Sequence, residues 1–165
     1  MTALATGAKA PDFQLNTTEG GAFSLAESLS RRPVVLAFFK VSCPTCQYAF
    51  PFLERLHRAY GRNGVALVGA SQNGAKDTNS FAREFGVTFP IVLDDPSNYA
   101  VSNAYGLTNV PTVFWIAQDA EVEISSVGWV KADFEQLNSK MAEAGKAAPS
   151  TIFQPGEDVR AYRAG

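Results

Sequence analysis

Phe38-Phe39-Lys40-Val41-Ser42-Cys43-Pro44-Thr45-Cys46-Gln47-Tyr48-Ala49-Phe50-Pro51 holds both cysteines of the chain, separated by two residues. Immediately upstream, Pro33 opens Val34-Val35-Leu36-Ala37-Phe38-Phe39, an unbroken apolar run rich in β-branched and aromatic residues. Such a run reads as a central strand covered on both faces. Downstream, over residues 45–60, Phe52, Leu53, Leu56 and Tyr60 recur at helical intervals, and Gly61 closes the pattern. The cysteines therefore sit where a buried strand hands over to a helix.

The same alternation runs outward in both directions. Residues 12–25 read as two short strands around a turn at Gly20-Gly21, followed by a short helix over 26–29. After the cysteine helix come a second buried strand over 65–70, a helix over 79–85 stopped by Gly86, and a short segment over 89–93 ending at Asp94-Asp95. A helix over 98–105 stops at Gly106, and Pro111 precedes the strand Thr-Val-Phe-Trp-Ile-Ala. Asp119-Ala120 marks a turn into a strand over 122–127, and 131–144 forms the last amphipathic helix. Strands alternating with helices, with a hairpin-like pair near the end, predict an α/β sandwich around a mixed sheet. A single domain is expected over 1–146. Residues 147–165 show no period and contain two prolines, so an irregular tail is expected on the surface, pinned by Ile152 and Phe153.

Composition narrows the function. A chain of 165 residues that is 46% hydrophobic and 18% charged suits one globular domain. The net charge is −2, and no like-charge run exceeds Arg31-Arg32 or Asp94-Asp95, so nothing favours nucleic acid or an anionic membrane. No apolar run reaches the length of a membrane span. The opening Met-Thr-Ala-Leu-Ala-Thr-Gly-Ala-Lys-Ala-Pro-Asp-Phe has neither a basic n-region nor an apolar h-region. The cytoplasm is the expected compartment, with the periplasm or the exterior as the alternative for a chain whose leader has been removed.

Two thiols at this spacing could be a reactive dithiol, half of a metal cage or a staple. A thiol reacts as its thiolate, and a helix start offers free N–H groups and a dipole that favour an anion. Cys43 lies at that start, and Pro44 costs no helix hydrogen bond there. Cys43 is thus the expected nucleophile. Cys46, one turn deeper on the same face, is the expected resolving thiol. Lys40, at the carboxyl end of the buried strand, is a candidate for adding positive charge nearby, or it simply solvates the strand end. His57, the sole histidine, lies eleven residues past Cys46, roughly 16 Å along a helix. That is too far for a base, and a surface or helix-packing role is expected of it. A structural zinc would need four ligands, and a disulfide across two residues closes too small a loop to stabilise much. A redox dithiol therefore leads, and no metal site is expected.

The buried strand, the Cys-Pro-Thr-Cys at a helix start and Val110-Pro111-Thr112 before a later strand together resemble the thioredoxin fold. The segments Ala-Pro-Asp-Phe-Gln-Leu, Pro-Val-Val-Leu-Ala-Phe-Phe, Phe-Gly-Val-Thr-Phe-Pro-Ile-Val-Leu-Asp-Asp and Tyr-Gly-Leu-Thr-Asn-Val-Pro-Thr-Val-Phe resemble its TlpA-type and alkyl-hydroperoxide-reductase-related branch. The likeness covers roughly residues 8–144. It implies a three-layer α/β/α sandwich with a mixed central sheet and an N-terminal β-hairpin extension. It also implies a cis bond at Val110-Pro111 that sets the Val110 backbone beside the cysteines to pair with substrate, with Pro44 and Thr45 flanking the same groove. The activity implied is thiol–disulfide exchange with a disulfide-containing protein or small thiol. It would need no cofactor, only an electron donor or acceptor, and a monomer is the default.

Three positions depart from the pattern. Ser42 stands where Trp usually precedes the first cysteine. Ala37 occupies the place of the buried acid of thioredoxins, and Ala49 that of the Glu common in TlpA-type reductases. A buried carboxylate would relay the proton of the deeper thiol, so its absence predicts slow reduction at neutral pH. Two other functions remain open. A peroxiredoxin-like thiol peroxidase would pass through a sulfenic acid, but it normally carries Thr or Ser three residues before the reactive cysteine. Lys40 holds that place before Cys43, and Cys43 holds it before Cys46. A non-catalytic peptide-binding module would need the groove but neither cysteine.

Overall fold

β3 (Val34–Phe39) is the centre of the molecule, and all six of its residues are buried. The computed structural model describes residues 2–61 and 63–165. β3 runs parallel to β4 (Ala66–Ser71), with Val34 opposite Ala66, and antiparallel to β6 (Thr112–Ile116), with Val34 opposite Ile116. β5 (Ile91–Leu93) lies parallel outside β4, and β7 (Val122–Val127) antiparallel outside β6. The order is β5-β4-β3-β6-β7, the mixed sheet expected from the sequence.

Because side chains alternate along a strand, β3 feeds two cores. Val35, Ala37 and Phe39 face α2 (Pro44–Tyr60), α3 (Ala75–Phe85) and α5 (Lys131–Ala144), packing with Phe50, Leu53, Phe81 and Phe134. Val34, Leu36 and Phe38 face the other way, towards Phe13, Leu25, Leu29 and Tyr105. That second layer contains the N-terminal hairpin of β1 (Gln14–Asn16) and β2 (Ala22–Ser24), α1 (Leu25–Leu29) and α4 (Ala100–Ala104). Ser24 caps α1 by accepting the Glu27 N–H at 3.2 Å. The result is the thioredoxin-like α/β/α sandwich with an N-terminal hairpin.

Two helices differ from their sequence expectation at the boundaries. α3 begins at Ala75, four residues before the expected start at 79, because its first turn is polar and carries no apolar period. α4 is shorter than the expected 98–105. Asp95 accepts the Ser97 N–H and hydroxyl, and Asn98 accepts the Ala100 N–H, so side-chain turns replace the first helical turn.

Beyond α5 the chain crosses the face of α2. Ile152 is buried, and Phe153 packs edge-on to Phe52 and Trp129. Arg55 grips Glu157 through two 2.7 Å hydrogen bonds and donates a third to the Ile152 carbonyl. Within this otherwise irregular stretch, β9 (Tyr162–Arg163) pairs antiparallel with β8 (Trp129–Val130). Among the described residues, no helix is long and apolar enough to cross a membrane.

Candidate active site

Cys43 is the N-cap of α2, with extended backbone dihedrals, and Pro44 is the first residue inside the helix. The Cys46 N–H donates to the Cys43 sulfur at 3.1 Å, which satisfies one of the open donors of the first turn. Negative charge arising on that sulfur would meet this N–H and the helix dipole. Gln47 fixes the approach from β3 by donating to the Val41 carbonyl at 3.0 Å, and Asn73 accepts the Val41 N–H at 3.0 Å.

The strand register brings the second part of the site here. Phe38 lies opposite Thr112, so the residues just before β6 must lie beside the loop that follows β3. Those residues are Val110 and Pro111, joined by a cis peptide bond. The Cys43 thiol donates to the Val110 carbonyl at 3.4 Å. Thr112 holds the bend by donating from its hydroxyl to the Asn109 carbonyl at 2.8 Å.

The two thiols have different surroundings. Both are free; Cys43 is half-buried and Cys46 is fully buried. Burial, and then the hydrogen bond with Cys43, push the Cys46 thiol far above the usual range. Ala37 and Ala49, the two positions at which the resemblance implied an acid, are fully buried in the same apolar cluster as Cys46. An attack by Cys46 thus needs its proton removed by solvent or by a departing thiolate.

The other expected residues fall as follows. Pro44 is exposed on the rim, and Thr45 is buried. The Lys40 ammonium lies over the Tyr99 ring, 5.7 Å from its centroid, and the Lys40 carbonyl accepts the Cys43 N–H at 3.3 Å. Lys40 also lines a cavity of about 120 Å³ with Gln72, Asn109 and Val110. His57 sits near the far end of α2, its ring edge-on to Phe89, far from the cysteines. A larger cavity of about 330 Å³ opens at that distant end, among Phe23, Arg31, Arg32, His57 and Pro90. Among the described residues, no group of three or more His, Cys, Asp or Glu side chains converges to hold a metal ion.

Sequence reasoning missed one set of neighbours, the residues around β9. The Thr45 hydroxyl donates to the Ala164 carbonyl at 2.6 Å. Gly165 lies so close to Val110 that a Cβ there would stand 2.4 Å from the Val110 carbonyl oxygen. Trp129 donates from its indole N–H to the Arg160 carbonyl at 2.6 Å, and the Tyr48 hydroxyl accepts the Arg160 N–H at 3.0 Å. No periodicity announces these contacts, since a two-residue strand is too short to show one.

The chain matches the AhpC/TSA family over residues 6–125. It is 34% identical over 137 residues to thiol-disulfide oxidoreductase ResA of Geobacillus thermodenitrificans, covering 82% of this chain and 77% of that protein. Identity to ResA of Halalkalibacterium halodurans is 33% over 117 residues, covering 70% and 65%. Among solved structures, a candidate thiol:disulfide interchange protein DsbE from Chlorobium tepidum superposes with a TM-score of 0.75 at 27% identity, covering 86% of this chain and 99% of that one. The thioredoxin domain of a thiol-disulfide oxidoreductase from Bacteroides vulgatus gives 0.74 at 20% identity, covering 84% and 98%, a likeness of fold alone. By the extent of these matches the chain belongs to the AhpC/TSA family, on its branch of thioredoxin-fold thiol–disulfide oxidoreductases.

Proposed function

We propose that this protein transfers two electrons between its Cys43/Cys46 dithiol and disulfides of protein substrates, with Cys43 as the nucleophile. Cys43 attacks one sulfur of a substrate disulfide, forming a mixed disulfide and expelling the other substrate sulfur as a thiolate. Cys46 then attacks the Cys43 sulfur. The Cys43–Cys46 disulfide forms, the second substrate sulfur leaves, and the proton of Cys46 passes to a departing thiolate or to water. The substrate is reduced by two electrons, and a separate dithiol donor resets the protein. Run backwards, the same steps oxidise a substrate dithiol.

The observation that carries this reading is the position of the Cys43 sulfur between the Cys46 N–H and the Val110 carbonyl, with Cys46 buried directly behind it. An accessible sulfur backed by a second thiol suits capture followed by resolution. Val110, held by the cis bond to Pro111, offers backbone groups to an extended substrate, while Pro44 and Thr45 form the opposite wall.

Equilibration in glutathione and dithiothreitol buffers, with mass-tagging of free thiols, tests the proposal. A reversible intramolecular couple is expected. A midpoint near about −270 mV would make the protein a reductant, and one near about −120 to −180 mV a disulfide donor or isomerase. Absence of any reversible couple would overturn the reading.

A further inference from the structure

The groove assigned above to substrate is already occupied by the chain itself. Ala164 and Gly165 lie between its two walls, Thr45 on one side and Val110 on the other. The Thr45 hydroxyl bonds the Ala164 carbonyl, and Gly165 stands against Val110 more closely than any residue with a Cβ could. Arg163 and Tyr162 extend the same segment along Trp129 and Val130, and the Lys131 N–H donates to the Ala161 carbonyl at 2.9 Å. Gly128, at φ +76°, has its Cα beside the Arg163 carbonyl, where a Cβ would stand 2.8 Å from the oxygen. Glycine on both sides is what allows the backbones to approach so closely.

This segment is held in two very different ways along its length. Residues up to 160 are anchored by buried Ile152, by the Arg55–Glu157 pair and by the Trp129 and Tyr48 bonds to Arg160. Past Ala161 little apolar surface is buried: Tyr162 is 63% exposed, Ala164 and Gly165 are also exposed, and Arg163 keeps a side-chain contact, its guanidinium over the Tyr48 ring at 5.9 Å. A segment held by a few hydrogen bonds and little apolar burial opens at small cost. Its fixed base keeps it at high effective concentration over the groove.

We propose that Tyr162–Gly165 occupies in cis the track a substrate polypeptide takes, so that protein disulfides reach Cys43 only when β9 leaves β8, whereas small disulfides reach it with the strand in place. The inference rests on the proposed dithiol function and concerns the regulation and substrate class of that same site. An incoming extended strand exchanges with β9 by pairing to the freed Trp129–Val130 edge and the Val110 backbone. Half-exposed Cys43 remains open to a molecule that needs no such edge.

The test compares reduction of insulin with that of bis(2-hydroxyethyl) disulfide by the unaltered protein and by Arg163→Pro, which removes a β9 N–H without touching the cysteines. The expected result is a rise of about tenfold in the insulin rate, because the competent fraction is no longer limited by the strand, with the small-disulfide rate changed less than about twofold. Insulin rates that stay equal while the small disulfide is still reduced overturn the role of the strand alone. Equal acceleration of both substrates overturns it too. Failure of the unaltered protein to reduce the small disulfide overturns the dithiol reading and this one with it. Should Arg163→Pro fold poorly, hydrogen exchange on a Cys46→Ser protein locked in a mixed disulfide with insulin decides: residues 161–165 are expected to lose protection, and retained protection overturns the proposal.

Discussion

The sulfur of Cys43 and the carbonyl oxygen of Val110 lie 3.4 Å apart, although 67 residues separate them in the chain. Strand register enforces the meeting. β3 and β6 pair with Phe38 opposite Thr112, which places the end of one strand beside the start of the other. The chemistry of the site follows from that juxtaposition.

The two thiols should separate cleanly by substitution. Cys43→Ser is expected to lower disulfide reduction by at least about a thousandfold. Cys46→Ser should still attack but fail to resolve, accumulating a mixed disulfide at Cys43 that intact-mass measurement detects. Accumulation at position 46 in a Cys43→Ser protein would reverse the assignment.

Burial of Cys46 couples the stability of the reduced protein to pH. Its folded pKa is raised above the ordinary thiol value of 9.0, so the folded state holds a proton that the unfolded state releases. The stabilisation is full below that value and is lost as pH rises beyond it, by about 1.4 kcal/mol per pH unit while the unfolded thiol is ionised and the folded one is not. Urea unfolding of the reduced protein between pH 8 and 10.5 should show this slope, and Cys46→Ala should lack it.

Ala49 is buried one helical turn beyond Cys46. A carboxylate there could take the Cys46 proton, so Ala49→Glu is expected to raise the rate of disulfide reduction at pH 7 by about ten- to a hundredfold, with some loss of stability from burying the acid. A folded variant with an unchanged rate would show that water or the departing thiolate already carries the proton efficiently.

Glu54 is a buried acid whose role is structural. Burial alone would raise its pKa, but hydrogen bonds from the Thr88 hydroxyl and N–H and from Arg58 outweigh it and hold the carboxyl below its usual range. Glu54→Gln should cost about 1.5–3 kcal/mol in urea unfolding at pH 7, the range for hydrogen bonds to a charged group. The sign follows from the lowered pKa: the advantage of the acid is present above its unfolded pKa and disappears as pH falls through the folded one. The two proteins should therefore converge in acid, while their rates of disulfide reduction at pH 7 stay alike.

Much of this protein is determined locally. The apolar run of β3 demanded a strand covered on both sides, and the period of Phe52, Leu53, Leu56 and Tyr60 demanded a helix directly after Cys43. Those two facts put a dithiol at a strand-to-helix junction with no knowledge of the rest. Cap geometry, Pro44 at the helix start and the depth of Cys46 follow from the helical repeat. What needed the tertiary structure is whatever depends on long-range pairing. The approach of Val110 to Cys43 is set by the register of β3 against β6. Occupation of the groove by Ala164 and Gly165 rests on a two-residue strand and on the Thr45 hydroxyl's bond to the Ala164 carbonyl. A bond to a carbonyl carries no signature in the accepting residue's side chain, and a pair of residues has no period, so only the assembled fold could bring that segment to the site.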